Sequence, residues 1–155
     1  MELSDILSKD CIISCARATS KRQLLQMFAD KAAEVAKIDS QTVFDTLMSR
    51  EQLGSTGLGN GIAIPHGKIK GLEQVVAIFA RLDQPIEFDA VDDQPVDIAF
   101  MLLAPEGSGA DHLKALSRVA RCLRSEHVID ELRSTRDRER LFEVLSTPVE
   151  HIAAA

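Results

Sequence analysis

Residues 50–68 read R-E-Q-L-G-S-T-G-L-G-N-G-I-A-I-P-H-G-K, and this stretch decides how the rest of the chain is interpreted. It holds four glycines between residues 54 and 61. Glycine is favoured where the backbone takes a positive φ or lies close to a partner, so this density predicts a shaped loop. The apolar strand 62–64 follows, and we expect it to stop at Pro65, because proline is a poor continuation of a central strand. His66 is therefore predicted to be presented at a strand end.

The glycine-rich stretch fits neither of two common nucleotide-binding motifs. A Walker A loop has the form G-x-x-x-x-G-K-[ST], with a strand before it and a helix after it. Between Gly61 and Gly67 the spacing is one residue too long, and Ile69 stands where the hydroxyl is required. The dinucleotide fingerprint G-x-G-x-x-G also fails, because Ile62 takes the place of the third glycine.

The same stretch resembles the active-site signature of phosphotransferase-system enzyme IIA domains of the fructose/mannitol/nitrogen-regulatory class, also called type 2. That signature has a polar residue, matched by Glu51, then six residues, Leu58-Gly59, two residues, and I-A-I-P-H-G at 62–67. The run G-S-T-G-L-G-N-G at 54–61 is most similar to the stand-alone nitrogen-regulatory branch. Mannitol-type relatives carry an acid where this chain has Asn60, which favours the same branch.

The resemblance implies roles for particular residues. In the family, the signature histidine accepts a phosphoryl group on Nε2, and a second histidine and an arginine lie against it. These roles fall on His66, His112 and Arg50. Two alternatives stay open: His112 as an exposed helix residue, and Arg50 as a cap on its own helix C-terminus. The expected phosphate-binding loop comprises Gly54, Ser55, Thr56, Gly59 and Asn60.

The function that the resemblance implies is that of a phosphoryl-carrying regulator in the nitrogen-related phosphotransferase system. An HPr-like phosphocarrier protein would be the donor, regulatory proteins would be the targets, and no metal or cofactor is required. No fused IIB domain follows, which favours a free-standing regulator. The alternatives are a sugar-specific IIA component that passes phosphate to a IIB domain, and a regulatory binding module that is not phosphorylated. A metal-dependent hydrolase is a further alternative, but no H-E-x-x-H, H-x-x-E-H or Cys/His spacing supports it.

Length and composition limit the classes of protein to consider. The 155 residues fit one domain, 1–155, with a substantial core. A formal net charge of −6 argues against a nucleic-acid binder, which needs a basic face. There is no apolar run long enough to insert into a membrane and no signal peptide at the N-terminus. Three cysteines, an odd number without C-x-x-C spacing, indicate a reducing compartment, so we expect the cytoplasm.

The hydrophobic pattern predicts an α/β fold, and the resemblance implies that a central mixed β-sheet is flanked by helices. We expect strands over 11–17, 62–64, 74–82 and 97–104, the last two buried on both faces. Helices are expected over 20–37, from 39 or 40 to 50, from 108 onward, and near 126–133 and 137–146. The methionines and phenylalanines of the first two helices are expected to be core. The acidic segment 84–96 is predicted to be a solvated loop and not a cation site, because it lacks the EF-hand pattern.

The helix beginning after Ser108 is expected to bring His112 close to His66. His112 falls in its first turn, directly after a buried strand, and sites in open α/β sheets lie beyond strand ends and at helix N-termini. Ser108 is expected to cap this helix. Its buried face is predicted to comprise Leu113, Leu116, Ala120 and Leu123. The remaining histidines, His127 and His151, match nothing in the signature and are predicted to be surface residues.

Overall fold

A six-stranded mixed β-sheet forms the centre of the fold, and helices pack against it. The computed structural model describes residues 2–148 of the chain. The strands are β1 (Ile12–Ala16), β2 (Gly57–Gly59), β3 (Ile62–Ala63), β4 (His66–Ile69), β5 (Val76–Ile86) and β6 (Val96–Pro105). The helices are α1 (Lys21–Ala36), α2 (Ser40–Gln52), α3 (Gly109–Leu123), α4 (Glu126–Arg133) and α5 (Arg138–Ser146). The predicted α/β class with a central mixed sheet is confirmed.

The order of strands across the sheet is β1-β5-β6-β3-β2, and β4 also pairs with β6. Strands β5 and β6 are antiparallel, whereas β1 runs parallel to β5 and both β3 and β4 run parallel to β6. Ile62 pairs with Ile98, and His66 pairs with Leu102. Strands β3 and β4 are therefore two pieces of one interrupted strand that lies along β6.

The predicted stop before His66 is confirmed, since β3 ends at Ala63, but a second strand, which was not predicted, begins at His66 and pairs with β6. Proline cannot donate a backbone hydrogen bond, so it is tolerated where no ladder bond requires its nitrogen. Pro65 lies in the interruption, where its carbonyl oxygen still accepts a bond of 3.0 Å from the Leu102 nitrogen. His66 is thus the first residue of β4 and lies beside the middle of the sheet.

The core is centred on β5 and β6, and the predicted burial of both strands is confirmed. Residues 98–104 of β6 are all fully buried. Phe79 and Phe100 pack edge to face across the two strands, with ring centroids 6.2 Å apart. Met27 and Met48 pack against the buried cluster, which also contains Phe28 and Phe44, so their prediction as core is confirmed.

Of the three helix caps predicted from the sequence, two have the expected side-chain hydrogen bond and one does not. The Ser20 hydroxyl caps α1 by accepting from the Gln23 nitrogen at 3.1 Å. Asp39 caps α2 by accepting from the Thr42 nitrogen at 2.9 Å. Ser108 occupies the N-cap position of α3 as predicted, but its hydroxyl does not cap the helix: it donates to the Pro105 carbonyl oxygen at 2.8 Å and so holds the turn before α3.

The buried face of α3 is rotated by about one residue from the predicted face. Leu113 is 68% exposed, so its assignment to the core is wrong. The residues of α3 that are buried are His112, Ala115, Val119, Cys122 and Leu123. These residues recur at three- and four-residue spacing, which is one face of a helix. Because His112 belongs to this face, it points toward the sheet, and the alternative of an exposed helix residue is wrong.

The segment 84–96 is only partly a solvated loop. Strand β5 continues through Pro85 to Ile86, and Phe88 is fully buried. The four acids of the segment, at 87, 89, 92 and 93, are exposed. Across residues 2–148 there is no group of three or more His, Cys, Asp or Glu side chains that could hold a metal ion.

Three further features of residues 2–148 bear on the sequence predictions. None of the helices there is long and apolar enough to cross a membrane. The three cysteines, Cys11, Cys15 and Cys122, are unpaired. His127 is exposed on α4 as predicted, and His151 lies outside the described residues.

Candidate functional site

His66 is held by a hydrogen bond that defines the chemistry of its two ring nitrogens. Nδ1 lies 2.8 Å from the carbonyl oxygen of Ile64, two residues earlier in the chain. A carbonyl oxygen can only accept, so Nδ1 carries the proton of the neutral ring. Nε2 therefore keeps a lone pair and is the nucleophilic atom of a half-buried imidazole.

His112 lies against His66, as the sequence predicted from its place at the start of α3. The two ring centroids are 5.6 Å apart, and the ring planes meet at 70°. Only 8% of His112 is exposed. Within the described part of the chain its Nε2 atom is buried without a hydrogen-bond partner. A buried polar atom without a partner carries a desolvation cost, which a ligand that bonds to it would remove.

Both histidines are less basic than free histidine. Burial lowers the pKa of His66, and the positive charge of Arg50 lowers it further. The bond to Ile64 and the negative charge of Glu51 act in the opposite direction. Burial also lowers the pKa of His112, with smaller contributions from His66 and Lys68. The site therefore favours two neutral rings near neutral pH, which is the state that a histidine nucleophile needs.

Arg50 connects the end of α2 to the glycine-rich loop. Its Nη1 donates to the Gly54 carbonyl oxygen at 2.9 Å, just beyond the helix C-terminus. Gly54 lies beyond the C-cap residue Leu53, so this bond holds the loop and does not cap the carbonyl groups of α2. The positive charge of Arg50 lowers the pKa of His66. The charge of the guanidinium thus acts on the His66 ring while one of its N–H groups holds the loop.

The second half of the glycine-rich stretch is a β-hairpin, which the sequence interpretation missed. Asn60 (φ 60°) and Gly61 (φ 83°) connect β2 to β3. Asn-Gly is the preferred pair for a two-residue hairpin turn with positive φ at both positions, so the signal was present. The Asn60 nitrogen donates to Asp92 Oδ2 at 2.9 Å, and the Cα of Gly59 faces the same carboxylate.

The hairpin turn lies at a distance from His66. The pairing positions of β3 and β4 on β6, Ile98 and Leu102, are four residues apart, or about 13 Å along a strand. Gly59 pairs with Ile62 and Asn60 lies in the turn beyond this pair, so both lie at the end of β3 that is far from His66. The structure therefore does not bring these two residues to the histidine pair.

Residues 54–56, the first half of the loop, donate hydrogen bonds to other groups of the protein. Gly54 donates from its nitrogen to the Glu51 carbonyl oxygen at 3.1 Å. The hydroxyl of Ser55 donates to the carbonyl oxygen of Phe88 at 2.9 Å. Thr56 donates from its nitrogen to the Glu51 carboxylate, 3.2 Å from each oxygen, and its hydroxyl donates to the same group. These donors stabilise the loop itself.

Glu51 is the site residue whose environment the sequence did not predict. Its side chain is 3% exposed, and Lys21 Nζ lies 2.7 Å from its Oε2. Lys21 also lies 4.6 Å from the centroid of the Phe88 ring. A signal existed, because Glu51 continues the spacing of Phe44 and Leu47 along the buried face of α2. An acid at such a position requires a buried partner.

The fold and the histidine pair define a class of protein, the enzyme IIA domains of the phosphotransferase system. Residues 5–147 match the family described as "Phosphoenolpyruvate-dependent sugar phosphotransferase system, EIIA 2", and the chain belongs to this family. Members of the family act as phosphoryl carriers in the phosphotransferase system.

Individual relatives place the similarity within one branch of the family. The chain is 48% identical over 148 residues to the nitrogen regulatory protein of Bradyrhizobium diazoefficiens, covering 96% of this chain and 97% of that protein. The crystal structure of IIA-Ntr from Neisseria meningitidis superposes with a TM-score of 0.88 at 34% identity, over 92% and 98% of the two chains. IIA mannitol from Escherichia coli superposes with a TM-score of 0.77 at 21% identity, over 90% and 98%, which supports the fold alone. The resemblance to the nitrogen-regulatory branch is confirmed.

Proposed function

We propose that this protein accepts a phosphoryl group on Nε2 of His66 from a phosphohistidine of an HPr-like carrier, and that its phosphorylation state controls regulatory protein partners. The observation that carries the proposal is the 2.8 Å bond between His66 Nδ1 and the Ile64 carbonyl oxygen. That bond assigns the ring proton to Nδ1 and leaves the Nε2 lone pair for attack on phosphorus.

The transfer balances without an added acid, base or metal. The lone pair of His66 Nε2 forms a bond to phosphorus while the P–N bond of the donor phosphohistidine breaks. The donor ring, which is protonated on its other nitrogen and carries a positive charge while phosphorylated, takes back the electron pair of the broken bond and becomes a neutral imidazole. The His66 ring then carries a positive charge, and its Nδ1–H strengthens its bond to the Ile64 carbonyl oxygen. Positioning and charge stabilisation account for the catalysis.

His112 and Arg50 are the proposed donors to the phosphoryl oxygens. The Nε2 atom of His112 is buried and unpartnered among the described residues, so an N–H there would gain a bond when the phosphoryl group arrives. Arg50 retains N–H groups beyond the one bonded to Gly54, and a guanidinium stabilises phosphoryl charge well. The nitrogens of Gly54, Thr56 and Asn60 already donate within the protein. We therefore assign the main stabilising role to the two side chains and not to the expected phosphate-binding loop.

Exposed leucines near the site residues support docking of a protein partner. Leu53 follows Arg50 by three residues and is 84% exposed, and Leu113 adjoins His112. Leu58, on strand β2, is also exposed. Large exposed apolar side chains next to site residues in the sequence are a feature of many protein interaction sites. We propose that the phosphoryl donor contacts this surface.

The nitrogen-regulatory role is proposed ahead of the sugar-specific alternative. Its support is the 48% identity to a nitrogen regulatory protein over nearly the whole of both chains. A cytoplasmic setting is proposed as well, supported by three cysteines that are unpaired in the structure.

The test is phosphorylation from phosphoenolpyruvate with enzyme I and the HPr-like carrier, followed by intact-mass measurement. The wild-type protein is expected to gain the mass of one phosphoryl group, and His66→Ala is expected to gain none. His127→Ala is the matched control, because His127 is exposed on α4 and distant in sequence from the site residues. Stoichiometric labelling of a folded His66→Ala variant would overturn the proposal.

A further inference from the structure

A chain of hydrogen bonds connects the buried carboxylate of Glu51 to the ring of His66. The chain begins with Lys21, whose Nζ bonds to Glu51 Oε2 at 2.7 Å. The Glu51 carboxylate accepts from the backbone nitrogen of Thr56 at 3.2 Å. The Thr56 carbonyl oxygen accepts from the Ile64 nitrogen at 3.0 Å. The Ile64 carbonyl oxygen accepts from Nδ1 of His66 at 2.8 Å.

The three bonds between His66 and Glu51 each have the donor on the His66 side, and Lys21 donates to the same carboxylate from the other side. The N–H and C=O groups of Ile64, and those of Thr56, belong to successive peptide groups joined at the Cα atom of the residue. The link is one of position: Glu51 holds Thr56, Thr56 holds the backbone of Ile64, and Ile64 presents its carbonyl oxygen to His66. Glu51 and Thr56 are both buried, and Ile64 is part of the core. Glu51 therefore supports the position of the carbonyl oxygen that accepts from His66.

We propose that Glu51, held in place by Lys21, is a positioning residue that acts through the backbone of Thr56 and Ile64 to keep the proton of His66 on Nδ1. The inference rests on the proposed function, since it concerns the ring nitrogen that attacks phosphorus. This role explains why a charged side chain occupies a buried position at residue 51. An apolar side chain on this face of α2 would pack without a buried partner, and a buried ion pair is weak evidence for stability.

Lys21 fixes the direction in which the carboxylate points. Besides the bond to Glu51, its Nζ donates to the Phe88 carbonyl oxygen at 3.3 Å. The same oxygen accepts from the Ser55 hydroxyl at 2.9 Å, so the lysine, the loop and the chain after β5 share one acceptor. Loss of the lysine charge would leave a buried carboxylate without a counterion, which disfavours its charged form.

The test compares Glu51→Gln with Glu34→Gln by two measurements. Glu34 is a matched control, because it also pairs with a lysine of α1, Lys31, at 3.7 Å, but is 70% exposed. Nitrogen-15 NMR of the ring nitrogens reports which nitrogen of His66 carries the proton. In Glu51→Gln we expect the Nδ1–H tautomer of His66 to lose population and phosphoryl transfer to slow about tenfold. Glu34→Gln should match the wild type in both.

The titration of His66 gives a readout that a purely structural role would not move. The charged and titratable groups that act on the His66 ring are Arg50, Glu51 and His112, and Lys68 acts on His112. Removal of the Glu51 charge leaves the cationic groups unopposed, so the pKa of His66 in Glu51→Gln should fall below the wild-type value. The amide backbone spectrum of the same sample establishes whether the variant is folded.

Lys21→Met, with Lys31→Met as its control, decides the question if Glu51→Gln does not fold. The same loss of the Nδ1–H tautomer and slower transfer are expected. Wild-type tautomer, pKa and transfer rate in a folded variant would overturn the inference. The proposed function fails separately, if wild-type protein is not phosphorylated on His66. The tautomer measurement needs no phosphoryl donor, so it tests the hydrogen-bond chain under either result.

Discussion

His66 and His112 meet edge to face, with ring centroids 5.6 Å apart and ring planes at 70°. The two rings differ in what their nitrogens bond. His66 donates from Nδ1 to the Ile64 carbonyl oxygen, whereas the buried Nε2 of His112 has no partner within residues 2–148. In the proposed function, the first ring accepts a phosphoryl group and the second donates a hydrogen bond to it. The predictions below follow from this asymmetry and from the packing around it.

Replacement of His112 by alanine should slow phosphoryl transfer without preventing it. The variant keeps the nucleophile but loses one hydrogen bond to a charged group, worth roughly 1.5–3 kcal/mol, or about ten- to a hundredfold in rate if fully expressed in the transition state. Labelling time courses and the lifetime of the isolated phosphoprotein measure the effect, with His127→Ala as control. If His112→Ala transfers and loses the phosphoryl group at wild-type rates, His112 has no role in the transfer. Complete loss of labelling in a folded variant would make it an obligatory participant.

Replacement of Arg50 by glutamine should raise the pKa of His66 and slow transfer. The charge of Arg50 is one of the causes that lower this pKa, so its removal acts in the opposite direction. Proton NMR of the His66 ring over a pH series measures the shift, and exposed Arg136→Gln serves as the control. An unchanged pKa in the folded variant would show that the guanidinium does not act on the nucleophile.

Folding stability should fall as the pH drops through the range where the two histidines titrate. Their pKa values are lowered in the folded protein, mainly by burial, relative to about 6.5 in an unfolded chain. The unfolded state therefore binds more protons in the window below about pH 6.5, and the stabilisation present above that pH is lost across it.

Urea unfolding of the wild type and of His112→Gln, measured at several pH values, tests this sign. Acidic groups also contribute at low pH, so the informative quantity is the difference between the two proteins. The difference in unfolding free energy between wild type and His112→Gln should change with pH below about pH 6.5. His127→Gln, which replaces an exposed histidine of α4, is the control. A pH-independent difference for His112→Gln contradicts the prediction.

Substitution of Gly67 by alanine should destabilise the packing of α2 on β4. A Cβ at this position would lie 2.6 Å from Thr46 Cγ2, which is too close for two carbon atoms. The expected cost is about 1–3 kcal/mol of unfolding free energy, as for other overpacked sites. The methyl group of Thr46 is the cause, so adding Thr46→Ser should recover part of the loss.

Gly107→Ala provides the control for this substitution. Its added Cβ would meet no atom within 4 Å, so the change should stay within about 0.5 kcal/mol. Denaturant unfolding of the four proteins, including the double variant, measures all of these values. Equal effects for Gly67→Ala and Gly107→Ala would show that the close packing of α2 on β4 is not specific.

The sequence predicted the parts of the fold that have a strong periodic signal. The continuous apolar runs of β5 and β6 and the caps of α1 and α2 each arise from local residue patterns, and the structure contains them. His112 was placed beside His66 because a helix that starts after a buried strand has few places to lie. These inferences depend on patterns among residues that are close together in the sequence, and such patterns can be read from a single sequence.

The remaining features depend on contacts between distant segments. Strand β4 exists because β6 offers partners on both sides of the interruption at Pro65, and the pattern of residues 66–69 gives no strand signal of its own. The buried face of α3 is set by the site, so His112 takes a position that apolar spacing assigned to Leu113. Lys21 and Glu51 are thirty positions apart in the numbering, and neither identifies the other before folding.

The most direct test of the account is nitrogen-15 NMR of the phosphorylated, uniformly labelled protein. Long-range proton–nitrogen correlations of the imidazole rings identify both the residue and the nitrogen atom that carries the phosphoryl group. The account predicts a single adduct, on Nε2 of His66, with Nδ1 of the same ring still protonated and bonded to the Ile64 carbonyl oxygen. A phosphoryl group on Nδ1 of His66, on His112, or on any other residue would contradict it.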